Sequence, residues 1–193
     1  HSVFEIAVDS PVSVTAAAKG IAKNHGRVDI LINSAGTTRP VAHADLESLD
    51  DELMDSIMAS NVQGPFATIR AFTPMLRATG DGVIVNISSI AGITGAGSNI
   101  GYGASKAALD TMTRSLARVL GPEIRVLSVS PGAVATDFVA GRGRAALEKI
   151  AQSTPLKRVI EPDEVALAVI ACITHLTATT GTRIIVDGGK SLV

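Results

Sequence analysis

The sequence predicts an α/β fold, a doubly wound parallel sheet, from three observations. Short apolar, β-branched runs recur along the chain: "VDILIN" (28–33), "GVIVNIS" (82–88), "IRVLSVS" (124–130) and "TRIIVD" (182–187). Near-continuous runs of this kind mark strands buried on both faces. Longer stretches with helical spacing separate them, at Pro11–His25, Leu46–Arg77, Tyr102–Leu120 and Pro162–Leu176. Ser10-Pro11 and Glu161-Pro162 read as helix starts, with proline at the first helical position. Strand–helix alternation places helices on both faces of a parallel sheet, joined by right-handed crossovers. A further apolar run, "VFEIAV" (3–8), reads as another strand, feeding the helix at Pro11.

Composition narrows the function. Of 193 residues, 46% are apolar and 18% charged, which suits one globular domain with a real core. A formal net charge of −1 removes the electrostatic case for nucleic acid or an anionic membrane surface as partner. The single cysteine, Cys172, excludes an internal disulfide and suits a cytoplasmic location; its apolar surroundings make it a structural thiol. Residues 1–10 lack the pattern of a signal peptide. The longest uncharged run, Gly82–Ser105, is rich in Gly, Ser and Asn and reads as strand plus loop, not a membrane span. His1, His25, His43 and His175 have no metal-ligand spacing, so no metal site is expected.

Ligands of doubly wound sheets bind outside the carboxyl ends of the strands. Here those ends are "NSAG" (33–36), "SSIAG" (88–92) and "PGAVAT" (131–136), whose small residues let a flat ligand approach the backbone. Beside them stands "YGASK", with the chain's only tyrosine, Tyr102, four residues before Lys106. On a helix the two share one face. A nearby ammonium favours the phenolate, so Lys106 is expected to lower the Tyr102 pKa and tune it for proton transfer between carbonyl and alcohol. Ser89 can donate a hydrogen bond to the same oxygen. Each signal alone has an ordinary alternative. Tyr102 and Lys106 could be a surface pair, "NSAG" a turn, and Asn61 a helix cap or interruption. Arg142, Arg144, Lys157 and Arg158 read as a solvated loop, the alternative being contact with an anionic substrate tail.

In combination these segments resemble the short-chain dehydrogenase/reductase family, of the kind that includes 3-oxoacyl-acyl-carrier-protein reductases. "NSAG" is similar to its NNAG segment, "YGASK" to its YxxxK, and Ser89 stands at the family's spacing before Tyr102. Asn61 falls where a helix asparagine orders a relay water, and "VDGG" (186–189) resembles the C-terminal strand end. The resemblance implies a Rossmann-like domain that uses NAD or NADP. It implies Tyr102 as acid/base, Ser89 as oxyanion donor, Lys106 as tuner and ribose ligand, and Asn61 in the proton relay. For the cofactor it implies Val8, Asn33, Ala35, Gly36, Pro131, Gly132, Val134 and Thr136 beside Tyr102 and Lys106. Hydride would pass between the nicotinamide and a ketone or secondary alcohol. Homodimers or homotetramers, built through the two long helices and the C-terminal strand, are implied as well.

One family feature is not found. No glycine-rich TGxxxGxG turn follows a strand early in the sequence. "VFEIAV" matches the family's third strand, so residues 1–193 are expected to form a single, N-terminally incomplete domain without its first strand–helix–strand–helix unit. "VFEIAV" should then lie two strand positions from "VDILIN", and Val8 should meet the adenine through its backbone. The residue that separates NAD from NADP belongs to the second strand, so the sequence does not choose between them. The loop 137–158 has an apolar side (Phe138, Val139, Leu147, Ile150) and favours a substrate with an apolar part. The alternative function is a non-catalytic relative or fragment acting as a binding module.

Overall fold

The computed structural model describes residues 1–193. Four parallel strands, β1 (Ile30–Asn33), β2 (Gly82–Ile87), β3 (Ile124–Pro131) and β4 (Arg183–Val186), stand side by side in chain order. Each falls on an apolar run of the sequence, with β3 extending one residue past its run to Pro131. Helix α1 (Pro11–His25) starts on Ser10, whose hydroxyl accepts from the Ser13 N–H at 3.3 Å, and stops at Gly26 in the left-handed region. Helices α2 (Asp51–Met58) and α3 (Gly64–Thr79) precede β2, and α4 (Ala91–Thr94) and α5 (Ile100–Leu120) precede β3. Helices α6 (Arg144–Gln152) and α7 (Pro162–Thr174) lead to β4.

The alternation of side chains along each strand divides the core in two. Ile84, Ile124 and Val126 face α3 and α5, where Ile69, Phe72, Leu76 and Leu120 meet them, and α1 packs its Ala18 on the same cluster. Val83, Val85, Leu127 and Val129 face α7, around Val169 and Cys172. In β1, Leu31 faces the first cluster while Ile30 and Ile32, paired with Val83 and Val85, face the other side beyond the cover of α7. The sheet is therefore covered by helices on both faces, as the sequence predicts.

Two expectations are corrected. "VFEIAV" forms no strand: with no ladder to join, it runs extended along α1. Its alternation survives, since Phe4, Ile6 and Val8 turn inward and Val3, Glu5 and Ala7 outward. A Cβ on Gly20 would stand 2.8 Å from the Phe4 ring, Ala7 N–H donates to Ser13 Oγ at 3.0 Å, and Ser2 meets His25 at 3.0 Å. The segment does not pair with β1: a groove of about 360 Å³ lies between them, lined by Ile6 and Val8 on one side and Ile30, Leu31 and Ile32 on the other. Second, the single helix expected over Leu46–Arg77 is divided: α2 gives way to a π-helical turn, Ala59–Gln63, before α3 begins. Such turns concentrate at functional sites, and this one holds Asn61.

Candidate active site

Helix α5 begins at the centre of the site. Asn99 caps it, accepting the Tyr102 N–H at 2.7 Å while donating to Arg39 O at 2.7 Å and Thr38 Oγ1 at 3.3 Å. Asn99 thereby ties the start of the tyrosine's helix to the loop after β1. This contact was not anticipated, although Asn just before a helical run is a recognisable cap. One turn on, Lys106 is buried and its ammonium donates to Ile87 O at 2.8 Å, at the end of β2. The same nitrogen lies 5.6 Å from the centre of the Tyr102 ring. Ser89 follows β2, with one residue between it and the strand end. Its oxygen accepts the Ala91 N–H at 3.1 Å, and its hydroxyl is close enough to Tyr102 to favour the phenolate.

The electrostatics differ from the expectation in direction. Burial raises the Tyr102 pKa above that of a free phenol, and the forces opposing burial are the Ser89 hydroxyl and the positive charge of Arg142. Lys106, 5.6 Å from the ring centre, is not among the influences that oppose burial, so the phenol rests protonated, as a proton donor. Lys106 carries the larger consequence. Burial pulls its pKa down to about 8, against the charge of Asp110 one turn further along α5.

That shift predicts a pH dependence of stability. Between about pH 8 and pH 10 the unfolded lysine still holds its proton while the folded one releases it, so stability rises with pH across that window. The difference amounts to about 3 kcal/mol. Denaturant unfolding of wild type and Lys106→Met as pH rises through the window should show the wild type gaining on the variant. Tyr102, present in both and titrating above this window, cancels from the comparison. Parallel pH profiles would refute the burial assignment.

Asn61 is fully buried and does not face the cleft. Its amide nitrogen donates to Thr37 O and Ser105 Oγ, both at 3.0 Å, and its oxygen accepts the Thr37 N–H at 2.8 Å. The side chain thus fastens the loop after β1 to α5, beneath the tyrosine. A Cβ on Gly36 would lie 3.0 Å from the Asn61 oxygen and 3.7 Å from the Lys106 nitrogen, so glycine is what lets "NSAG" close on both. A second buried chain, also not anticipated, stiffens the strand ends. Thr68 donates to Asn33 (2.6 Å), Asn33 to Asn86 (2.9 Å) and Asn86 to Thr113 (2.9 Å), linking α3, β1, β2 and α5. Every polar group in this chain has a partner, as burial demands.

Above these groups opens a cleft of about 920 Å³ across the carboxyl ends of the strands. Gly36, Ser89, Tyr102, Lys106, Pro131, Gly132, Val134 and Thr136 all line it. Val134 is held by a parallel bridge to Ile160, and Gly132 by close contact with Asp187, where a Cβ would meet the Asp187 Cβ at 2.9 Å. Asp187 is fixed in turn. Burial works to raise its pKa, but the N–H groups of Ser191 and Gly189 prevail and keep the carboxylate charged. Val8, Asn33 and Ala35 are placed elsewhere, in a separate groove of about 360 Å³ beside β1. Val8 packs on the start of α3, 3.0 Å from where a Gly64 Cβ would stand. Two residues gain importance: Phe138, whose ring tilts against that of Tyr102 at 5.9 Å, and Arg142, expected in a solvated loop but lining the cleft.

A parallel sheet with this cleft at its strand ends, and with Ser, Tyr and Lys converging there, defines a nucleotide-dependent oxidoreductase. Comparison with known proteins names the family. The family described as Enoyl-(Acyl carrier protein) reductase matches residues 1–191. A Streptomyces violaceoruber protein assigned as ketoacyl reductase 2 of the granaticin polyketide synthase is 40% identical over 173 residues, 89% of this chain and 69% of the relative. A 3alpha-hydroxysteroid dehydrogenase of Mediterraneibacter gnavus is 36% identical over 177 residues, 91% of this chain and 70% of the relative. A crystal structure from Burkholderia xenovorans, assigned to the short-chain dehydrogenases/reductases, superposes with a TM-score of 0.93 at 36% identity, covering 100% of this chain and 76% of the other. The chain belongs to the short-chain dehydrogenase/reductase family and is an oxidoreductase of the 3-oxoacyl-acyl-carrier-protein reductase-like kind. No helix in it is long and apolar enough to cross a membrane.

Proposed function

We propose that this chain interconverts a ketone and a secondary alcohol with NAD or NADP, using Tyr102 as the acid/base. The observation that carries this reading is that Ser89, Tyr102 and Lys106 line one cleft at the strand ends, with the Lys106 nitrogen 5.6 Å from the centre of the tyrosine ring. The cofactor fits the donor set present. Lys106 and Thr136 offer polar groups on the cleft wall, Val134 its backbone, and Gly36, Pro131 and Gly132 leave room against the strand ends. When bound, the nicotinamide supplies or accepts the hydride that no side chain can carry.

The residues handle the oxygen and the proton. Ser89 donates a hydrogen bond to the carbonyl oxygen, which gains electron density as the hydride reaches its carbon. Tyr102 gives its proton to that oxygen, and its burial, which favours the neutral phenol, suits this direction at neutral pH. In oxidation the proton returns to Tyr102. Lys106, on the cleft wall beside the ring, would hold the ribose of the cofactor. Asn61 supports proton delivery by fixing the Thr37 loop and Ser105 beneath the site.

The test is turnover of a panel of ketones and secondary alcohols with each reduced and oxidised nicotinamide cofactor, followed by the cofactor's absorbance. Cofactor-dependent turnover of at least one pair supports the reading. No turnover of any, with cofactor binding intact, would favour a binding module instead. Self-association is part of the same reading. Phe66 of α3 is exposed beside a shallow apolar face of α5 formed by Ala107, Ala108, Met112 and Leu116, and Leu167 and Ile170 of α7 are exposed too. Light scattering is expected to show a homodimer or homotetramer, and a monomer at micromolar concentration would refute it.

A further inference from the structure

Two cations stand where the loop after β3 meets α6, Arg142 in the loop and Arg144 at the first position of the helix, and their surroundings differ. Arg144 is paired with Glu161 at 2.7 Å and Glu148 at 3.4 Å, and Arg158 beyond it with Glu164 at 2.6 Å. Arg142 has no ion pair. A turn closed by its own N–H on Val139 O at 3.2 Å, with Gly141 in the left-handed region, places it on the cleft wall. Its Nε is buried there and has no hydrogen-bond partner. A buried donor left unpaired is costly, and guanidinium stays charged whatever its surroundings. No Asp or Glu lines the cleft to neutralise it, while Lys106 and Lys190 add positive charge. Lys106 donates to Ile87 O and Lys190 to Ser153 Oγ at 3.1 Å, whereas the Nε of Arg142 has no partner. Its charge reaches Tyr102, and Phe138, four residues earlier, packs on the tyrosine ring.

We infer that the substrate of this site carries a carboxylate, held by Arg142, so that the chain acts on oxo acids and hydroxy acids in preference to neutral ketones. The inference rests on the reading of the cleft as a carbonyl–alcohol site and adds the substrate class. A carboxylate would complete the unpaired guanidinium with charge-assisted hydrogen bonds, two in parallel where the geometry is bidentate. Phe138, Val139 and Ile150, lining the cleft on either side of Arg142 in the chain, suit an aliphatic remainder. Arg142 is here a specificity-determining residue, and the proton chemistry stays with Tyr102.

The experiment compares an oxo acid with its methyl ester, the same skeleton without the charge, on wild type, Arg142→Met and Arg142→Lys. Wild type is expected to favour the acid in kcat/KM by about 10–100-fold. Arg142→Met should erase that preference by slowing the acid alone, and Arg142→Lys should restore part of it. Equal rates on acid and ester in wild type would overturn the inference. So would an equal loss on both in Arg142→Met, which would assign Arg142 to the support of Tyr102. Calorimetric titration of wild type with pentanoate and with pentanamide, in the presence of oxidised cofactor, separates the two readings. Tighter binding of pentanoate, lost in Arg142→Met, upholds the carboxylate seat even if no substrate turns over, in which case only the catalytic reading fails. Equal binding of the two ligands would remove the seat whatever the turnover.

Discussion

Tyr102→Phe is expected to lower kcat by about 10²–10⁴-fold, the usual contribution of a positioned general acid or base, while leaving the fold intact. The substitution removes one hydroxyl and little else. The ring keeps its contact with Phe138, the helix start keeps its cap on Asn99, and Ser89 keeps its bond to the Ala91 N–H. Substrate and cofactor binding should therefore change little, and the loss should appear in kcat more than in KM. The pH profile gives an independent readout. Burial holds the phenol neutral, so alcohol oxidation, which needs the phenolate, should quicken as pH rises toward the raised pKa. The Phe variant should lose that rising limb. A variant with more than about a tenth of wild-type turnover and an unchanged limb would take the acid/base role away from Tyr102.

Much of this was legible because its physics is local. The strands show as apolar runs, since both faces of a parallel sheet are buried, and α1 shows through Ser10, Pro11 and Gly26 at its ends. Tyr102 and Lys106 share a helix face by spacing alone, and Ser89 reaches them because small residues end β2. What was not legible depended on partners distant in the chain. "VFEIAV" has the alternation of a strand, but a strand needs a neighbour, and the segment settles on α1 with the same side chains turned inward. Val8 lines the groove beside β1 and not the cleft. The pKa of Tyr102 follows burial, opposed by Ser89 and Arg142, and not the lysine one turn away; spacing reveals neither the burial nor the arginine. Asn61 could be located but not understood, because its role is set by Thr37 and Ser105. Arg142 reads in the sequence as one more loop cation; its surroundings set it apart, since Arg144 and Arg158 are paired with glutamates and it is not.

Gly92→Val is expected to damage stability and catalysis together, because α4 and α5 meet backbone to backbone. A Cβ on Gly92 would stand 2.6 Å from Ala107 N, 2.7 Å from Lys106 C and 3.1 Å from Lys106 O. Those atoms belong to the interior of a 21-residue helix and cannot yield as the tip of a side chain can. The contact is reciprocal, since a Cβ on Gly103 would come within 3.3 Å of Ala91 O. A valine at position 92 must therefore lift α4 from α5, at about 1–3 kcal/mol or more for the overpacked interface. Catalysis suffers because α4 is tied to Ser89, whose Oγ receives the Ala91 N–H and whose carbonyl receives the Gly92 N–H, each at 3.1 Å. Lifting the helix draws Ser89 off the Tyr102 oxygen, and losing an oxyanion donor costs about 10²–10³-fold in kcat. Ile93→Val, on the exposed side of the same turn, serves as the control and should alter neither quantity much. If Gly92→Val melted and turned over like the control, the close approach of α4 and α5 would not be what holds Ser89 against Tyr102.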